Sequence, residues 1–245
     1  MTDASYWDER ARSRAGFARS VWHSESFSIV WDARQQEMLR DELGAVLGKL
    51  EGKKIADVGC GTGRITRFLA REGANAVGFD FSPATVEAAR QETRDAGLEA
   101  AFEVADVASG NLSAEEGAFD AALTVGCLAV ACPDMAALDR AMSGIAKLVR
   151  RGGPVLILEP IHTTKFLGRV LREPLSAWIA SGERAGLRLD NVRPMGLVAT
   201  RLAFSSLDFP SWVVDGIFDA GERALDRFEP LSRASDYKLV RFSRV

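Results

Sequence analysis

Three glycines at alternate positions, Gly59, Gly61 and Gly63, follow a short apolar run in the stretch I-A-D-V-G-C-G-T-G from Ile55 to Gly63. Glycine accepts a positive φ and has no Cβ, so backbone at such a turn can approach a ligand closely. Arg64 to Glu72 continue with Ile65, Phe68 and Leu69 on one helical face, which gives a strand, a tight turn and a helix presenting its first N–H groups to the turn. That corner is a nucleotide cradle. A dinucleotide fingerprint, G-x-G-x-x-G/A, needs a small residue at position 64, where this chain has Arg64, and Asp57 stands where a carboxylate would repel a phosphate but could receive an ammonium group. Both features point away from a pyrophosphate. Two further acids end apolar runs: Asp80 closes A-V-G-F-D, 17 residues beyond Gly63 and near the ~20-residue offset at which a carboxylate reaches ribose hydroxyls, and Asp106 closes E-A-A-F-E-V-A-D.

The string D-V-G-C-G-T-G (Asp57 to Gly63) closely resembles motif I of the class I S-adenosylmethionine-dependent methyltransferases. G-F-D-F-S-P (Gly78 to Pro83) is similar to the family's second motif, and V-L-I-L-E-P (Val155 to Pro160) to its fifth strand. The resemblance covers about Lys53 to Pro160 and is looser beyond. It implies an α/β fold: a doubly wound, mostly parallel seven-stranded Rossmann-like sheet with helices on both faces and an antiparallel last strand. It also implies S-adenosylmethionine as cofactor and S-adenosylhomocysteine as product. In the family the glycine loop wraps the amino-acid end of the cofactor, the second acid holds the ribose, and the third acid and the following N–H meet the adenine. Carried onto this chain, those roles fall to Asp57, Gly59, Cys60, Gly61, Gly63, Asp80, Phe81, Asp106, Val107 and Val125. Tyr6 and Trp7 stand in an N-terminal stretch that in the family often folds over the cofactor. Where many small-molecule methyltransferases have a histidine-containing stretch after strand four, this chain has Val130 and Ala131, so an apolar wall is expected there.

The elements that must position these residues are legible from patterning. Met38, Leu39, Leu43, Val46, Leu47 and Leu50 are spaced for one face of a helix. Ser82-Pro83 starts a helix, serine capping it and proline tolerating its first position, with Val86, Ala89 and Ala96 on the inner face. Strands are expected at Glu99 to Asp106, Phe119 to Gly126, Val155 to Pro160, Leu187 to Val192 and Tyr237 to Phe242, and helices at Pro133 to Arg150 and Pro174 to Gly186. The chain divides into an N-terminal helical lid segment, 1–52, and a Rossmann-like domain, 53–245. Insertions at about 161–174 and 203–231 are expected to cover the substrate.

Proton chemistry has two candidates. His162 lies three residues past the acid that ends the fifth strand, and imidazole titrates near neutrality, so it could take a proton from an acceptor hydroxyl or amine; His23 is the second. Cys60, Cys127 and Cys132 form no C-x-x-C pair and the two histidines lie far apart, so neither a disulfide framework nor a metal site is expected. A net charge of −3 without a lysine or arginine block gives no electrostatic footprint for nucleic acid, which favours a small-molecule acceptor. No apolar run reaches the ~18 residues of a membrane helix and no apolar leader opens the chain, so a cytoplasmic protein is expected. The reading is methyl transfer to an N, O or C nucleophile of a small metabolite. Its rivals are another S-adenosylmethionine reaction on the same fold, such as a cyclisation, a nicotinamide oxidoreductase, and a non-enzymatic binding module. Oligomeric state is not encoded in any of these features.

Overall fold

Successive residues of a strand point to opposite faces of a sheet, and here both faces are apolar. In β1 (Lys54–Val58) Ala56 and Val58 join one core cluster while Ile55 joins another. β5 (Pro154–Glu159) repeats the pattern, Val155 and Ile157 against Leu156 and Leu158, and so does β7 (Ser235–Arg244), Val240 and Phe242 against Leu239. A sheet buried on both sides needs helices on both sides. The computed structural model describes residues 24–112, 114–163, 171–207, 209–227 and 235–245.

Among them, β1, β2 (Asn75–Asp80), β3 (Ala101–Val104), β4 (Ala121–Val125), β5, β6 (Leu187–Leu197) and β7 form one sheet in the order β3-β2-β1-β4-β5-β7-β6. β3, β2, β1, β4 and β5 are paired in parallel, and β7 runs antiparallel to both β5 and β6. The expected antiparallel last strand is therefore present, but it is inserted inside the sheet, and β6 forms the edge.

One face carries α5 (Met135–Leu148) and α6 (Leu175–Arg184), represented in its core cluster by Leu138, Met142, Ile145 and Trp178. The other carries α1 (Glu25–Leu47), α2 (Arg64–Arg71) and α8 (Ser211–Arg227) through Phe27, Trp31, Leu39, Phe68 and Phe218. α3 (Pro83–Asp95) packs Val86 and Ala89 against Phe102. α1 is tied to α8 by Arg34 on Asp215 and Asp219, and to the β6–β7 edge by Glu42, which accepts from Asn191, Arg193 and Arg241.

Several boundaries differ from the sequence expectation. β3 occupies four residues of the eight expected, because Asp106 leaves the ladder to cap a short 3₁₀ turn, Val107–Ser109. β6 continues five residues further, across a bulge between Leu189 and Asn191, because β7 gives it a partner as far as Leu197. On α1, Val46 faces solvent, and Leu50 is buried from beyond the helix end. On α3 the buried face is Thr85, Val86, Ala89 and Thr93, and Ala96 is exposed at the C-cap. The region expected as an insertion from 203 holds the end of α7 (Val198–Phe204) and all of α8. The described part of the lid segment is α1, which shares its apolar cluster with β1, β4, β5 and β7.

Candidate active site

The carboxyl ends of the parallel strands open on a cavity of about 400 Å3. In an open α/β sheet ligands bind at this edge. β1 leads into the glycine loop, and Gly59, Gly61 and Gly63 all have positive φ, at 74, 55 and 81°. Their reasons differ. A Cβ on Gly59 would overlap the Cys127 side chain, and one on Gly63 would come within 2.9 Å of the Phe102 ring, so these two serve close packing. A Cβ on Gly61 would meet nothing within 4 Å, so at this cavity-lining position the glycine keeps the wall open.

Four of the loop's N–H groups are already engaged. Gly59 and Cys60 donate to the Phe79 carbonyl at 2.7 and 3.0 Å, and Gly63 to the Cys60 carbonyl at 3.0 Å. Gly61 N–H donates to Asp80 Oδ2 at 3.0 Å, while Asp80 Oδ1 accepts from Ser82 N–H at 3.0 Å. Asp80 thus fixes the loop and the start of α3 together. A loop with its amides used internally, flanked by Asp57 and Asp80, is a poor seat for a diphosphate. It suits a neutral or cationic ligand.

Asp57 is buried beneath the loop and accepts from the Thr66 hydroxyl at 2.6 Å. Burial pushes its carboxyl up to about 7, against the lowering effect of the Thr66 hydrogen bonds. Asp106 lies exposed at the rim, accepting from Ala108 N–H at 2.9 Å. Burial pushes the Cys60 and Cys127 thiols well above their ordinary range, so both stay protonated and neither is a nucleophile at neutral pH.

The cavity wall brings together Asp57, Gly59, Cys60, Gly61, Asp80, Phe81, Asp106, Val107 and Val125 from the sequence-derived set. Gly63 and His162 are not in the wall: Gly63 caps α2, and His162 is half-buried beyond β5. Tyr6, Trp7 and His23 lie outside the described residues. Val130 and Ala131 line the cavity as an apolar wall, joined by Pro160. No group of three or more His, Cys, Asp or Glu among the described residues could hold a metal ion, and no described helix is long and apolar enough to cross a membrane.

Sequence reasoning missed the far side of the cavity. Trp31 and Gln35 reach it from α1, Arg201 from α7 and Tyr237 from β7, with Trp31 and Tyr237 edge to face at 5.2 Å. Arg64, noticed only as a misfit to another fingerprint, lines the same region and is held by Asp32 and by Gln35 Oε1, the latter at 2.8 Å. Glu159 was also missed as a site residue. Fully buried at the end of β5, it accepts the N–H groups of Cys127, Leu128 and Ala129 at 2.8, 2.9 and 3.2 Å and so shapes the β4 loop and α4 (Leu128–Ala131). Burial pushes its carboxyl up to about 7 despite those donors. An acid closing an otherwise apolar strand was the available signal.

Residues 55–153 match the family described as a methyltransferase domain. The ubiquinone biosynthesis O-methyltransferase of Alkalilimnicola ehrlichii is 36% identical over 118 residues, covering 47% of this chain and 45% of that protein. The protein of the same name from Xanthomonas euvesicatoria pv. vesicatoria is 30% identical over 173 residues, covering 60% of this chain and 67% of the relative. The matched region thus spans about half of the first relative and two thirds of the second. The crystal structure of magnesium protoporphyrin IX methyltransferase from Synechocystis PCC 6803 with bound SAH superposes with a TM-score of 0.65 at 16% identity, covering 99% of this chain and 98% of that one. At that identity the likeness is one of fold.

Proposed function

The chain belongs to the class I S-adenosylmethionine-dependent methyltransferases, and from that premise we propose that it methylates an N, O or C nucleophile of a small molecule by direct in-line displacement. The observation that carries this reading is the wall between β1 and β3: an open glycine position at Gly61, loop amides engaged internally, and carboxylates at Asp57, Asp80 and Asp106. These residues fit a cofactor that bears hydroxyls and positive charge and lacks phosphate. When bound, S-adenosylmethionine supplies a methyl group already activated by the positive sulfur.

Asp80 would accept from the ribose hydroxyls. Asp106 and the Val107 N–H would meet the adenine, and Phe81 and Val107 would give its ring apolar contact. Asp57, beneath the loop, places negative charge near the amino-acid end. Val125, Cys127, Val130 and Ala131 keep water from the acceptor, which leaves alignment as the main catalytic work of the chain. With both cavity thiols held protonated and His162 outside the wall, no described neutral base touches the cavity. An acceptor that loses its proton readily suits such a site. We place the reaction in the cytoplasm and on a small molecule; the net charge of −3 without a lysine or arginine block supports the small-molecule acceptor.

Titration calorimetry with S-adenosylhomocysteine and with NADH tests the cofactor, and heat only from the nicotinamide would overturn the reading. Methyl-labelled S-adenosylmethionine tests the reaction. Label recovered in the product supports transfer, whereas an unlabelled rearranged product would assign the protein to a non-transfer reaction on this fold.

A further inference from the structure

Two side chains on the far wall of the cavity carry hydrogen-bond donors that the fold leaves unused. Gln35 lines the cavity and is only 2% exposed. Its Oε1 accepts from Arg64 Nη2 at 2.8 Å. A guanidinium only donates, so that contact fixes the amide with its NH2 end turned from Arg64. Nε2 makes no hydrogen bond among the described residues and is not sealed in the interior, which leaves its N–H groups to the cavity. The Tyr237 hydroxyl is in the same position, unbonded among the described residues and unsealed. A Cβ built on Gly126, itself in the cavity wall, would come within 3.2 Å of that oxygen, which places the hydroxyl beside the turn after β4. Trp31 joins the two groups: it lies one helical turn before Gln35 on α1, and its ring meets that of Tyr237.

Buried amide and phenol donors normally have partners, so a ligand atom with lone pairs is the missing one. Around them Val125, Val130, Ala131 and Pro160 are apolar, and the carboxylates of the cavity stand at β1, β2 and just past β3. We propose that Gln35 and Tyr237 form an oxyanion seat that selects acceptors bound as an enolate or a phenolate. The inference rests on the methyl-transfer reading and narrows it to O- or C-methylation. The acceptor loses its proton to water on ionisation. An electron pair of its oxygen, or of the enolate carbon, then forms the bond to the methyl carbon, and the pair of the broken C–S bond returns to sulfur. Asp32 and Arg64 stand beside Gln35, and Asp236, Glu159, Arg201 and Arg64 act on Tyr237. Burial, then Asp236 and Glu159, push the phenol up, so it stays protonated and serves as donor, not base. An oxyanion here could also be the carboxylate of the cofactor. The acceptor is favoured by Tyr237, whose hydroxyl adjoins the turn after β4, where the apolar wall begins.

The probe is 4-nitrophenol, whose ionised form is coloured, titrated by absorbance on protein saturated with S-adenosylhomocysteine. Bound to wild type it should ionise about one pH unit lower than in free solution, a roughly tenfold preference for the phenolate. Y237F removes one oxygen and keeps the ring on Trp31, and Q35M removes the amide. Each should lose that shift while affinity for S-adenosylhomocysteine stays within about twofold. Glu159 and Asp236 titrate in the same window, so wild type and variants are compared at equal pH. Q35M also takes an acceptor from Arg64; if thermal melts show it unfolded, Y237F decides alone. No shift in wild type, no binding of the probe, or a shift retained in either folded variant overturns the proposal. A roughly tenfold loss of S-adenosylhomocysteine affinity in either also overturns it, assigning the donors to the cofactor's carboxylate. Wild type that fails to bind S-adenosylhomocysteine defeats the underlying reading instead, so the two failures are distinct.

Discussion

The two sides of the cavity are built by different means. From β3 to β4 the wall is backbone and short side chains fixed by local bonds: Asp80 holds Gly61 and Ser82, Asp106 caps its own turn, and Thr66 holds Asp57. From β5 to β7 it is long side chains brought from distant parts of the chain, Trp31 and Gln35 from α1, Arg64 from α2, Arg201 from α7 and Tyr237 from β7. Local bonding suits a constant ligand, and assembly from separate elements suits a wall that must match one particular acceptor. The contrast fits a family in which one cofactor serves many substrates.

Substitutions can break that contrast, beginning with the severest. Gly59→Ala combines a positive φ with a steric overlap on Cys127, and should destabilise the fold by about 2–4 kcal/mol in denaturant titration. Adding Cys127→Gly should restore part of that loss; no recovery would show that backbone strain alone is responsible. Next, Asp80→Ala removes the acceptor of two backbone N–H groups and of the proposed ribose hydroxyls, and should weaken S-adenosylhomocysteine binding by about 2–3 kcal/mol in calorimetry. Unchanged affinity would remove Asp80 from the cofactor wall.

A pH-dependent effect concerns the seam between the two sides. Glu159, Asp57 and Asp236 have folded-state values raised by burial to about 7, about 7 and about 6. An acid with a raised folded value holds its proton more tightly in the native state, so the stability it contributes is present below about pH 4 and lost as pH rises through about 6 to 7. Denaturant melts should therefore show stability falling between pH 5 and 7, by on the order of 5 kcal/mol from these groups together. Glu159→Gln should flatten part of that slope; an unchanged slope would mean Glu159 stays ionised throughout. The mildest change is on the outer surface of the acceptor side, where Trp212 is 76% exposed on α8. Trp212→Ser should shift stability by less than about 0.5 kcal/mol, and a larger loss would show that this side chain is covered in solution.

The same contrast explains what was legible in the chain. The glycine-loop side of the cavity could be read because its determinants are local: glycines two apart, and acids where apolar runs end. The mostly parallel seven-stranded sheet, the helices on both faces and the apolar wall at Val130 and Ala131 followed from the resemblance and agree with the structure. The far side could not be read, because Arg201 and Tyr237 reach the cavity only after β7 inserts between β5 and β6, and nothing local in V-A-T-R-L or S-D-Y-K announces that insertion. Arg64 was visible as an oddity of spacing, and only its contact with Asp32 on α1 shows where its side chain goes.

That insertion also bears on how the chain is made. Vectorial synthesis delivers β5 and β6 before β7, so until residues 235–244 emerge β5 keeps one unpaired edge and β6 lacks its partner in the sheet. A nascent chain can set up the glycine loop early, since β1 to β4 pair among themselves. The pocket wall that includes Tyr237 has to wait for the ribosome to finish β7.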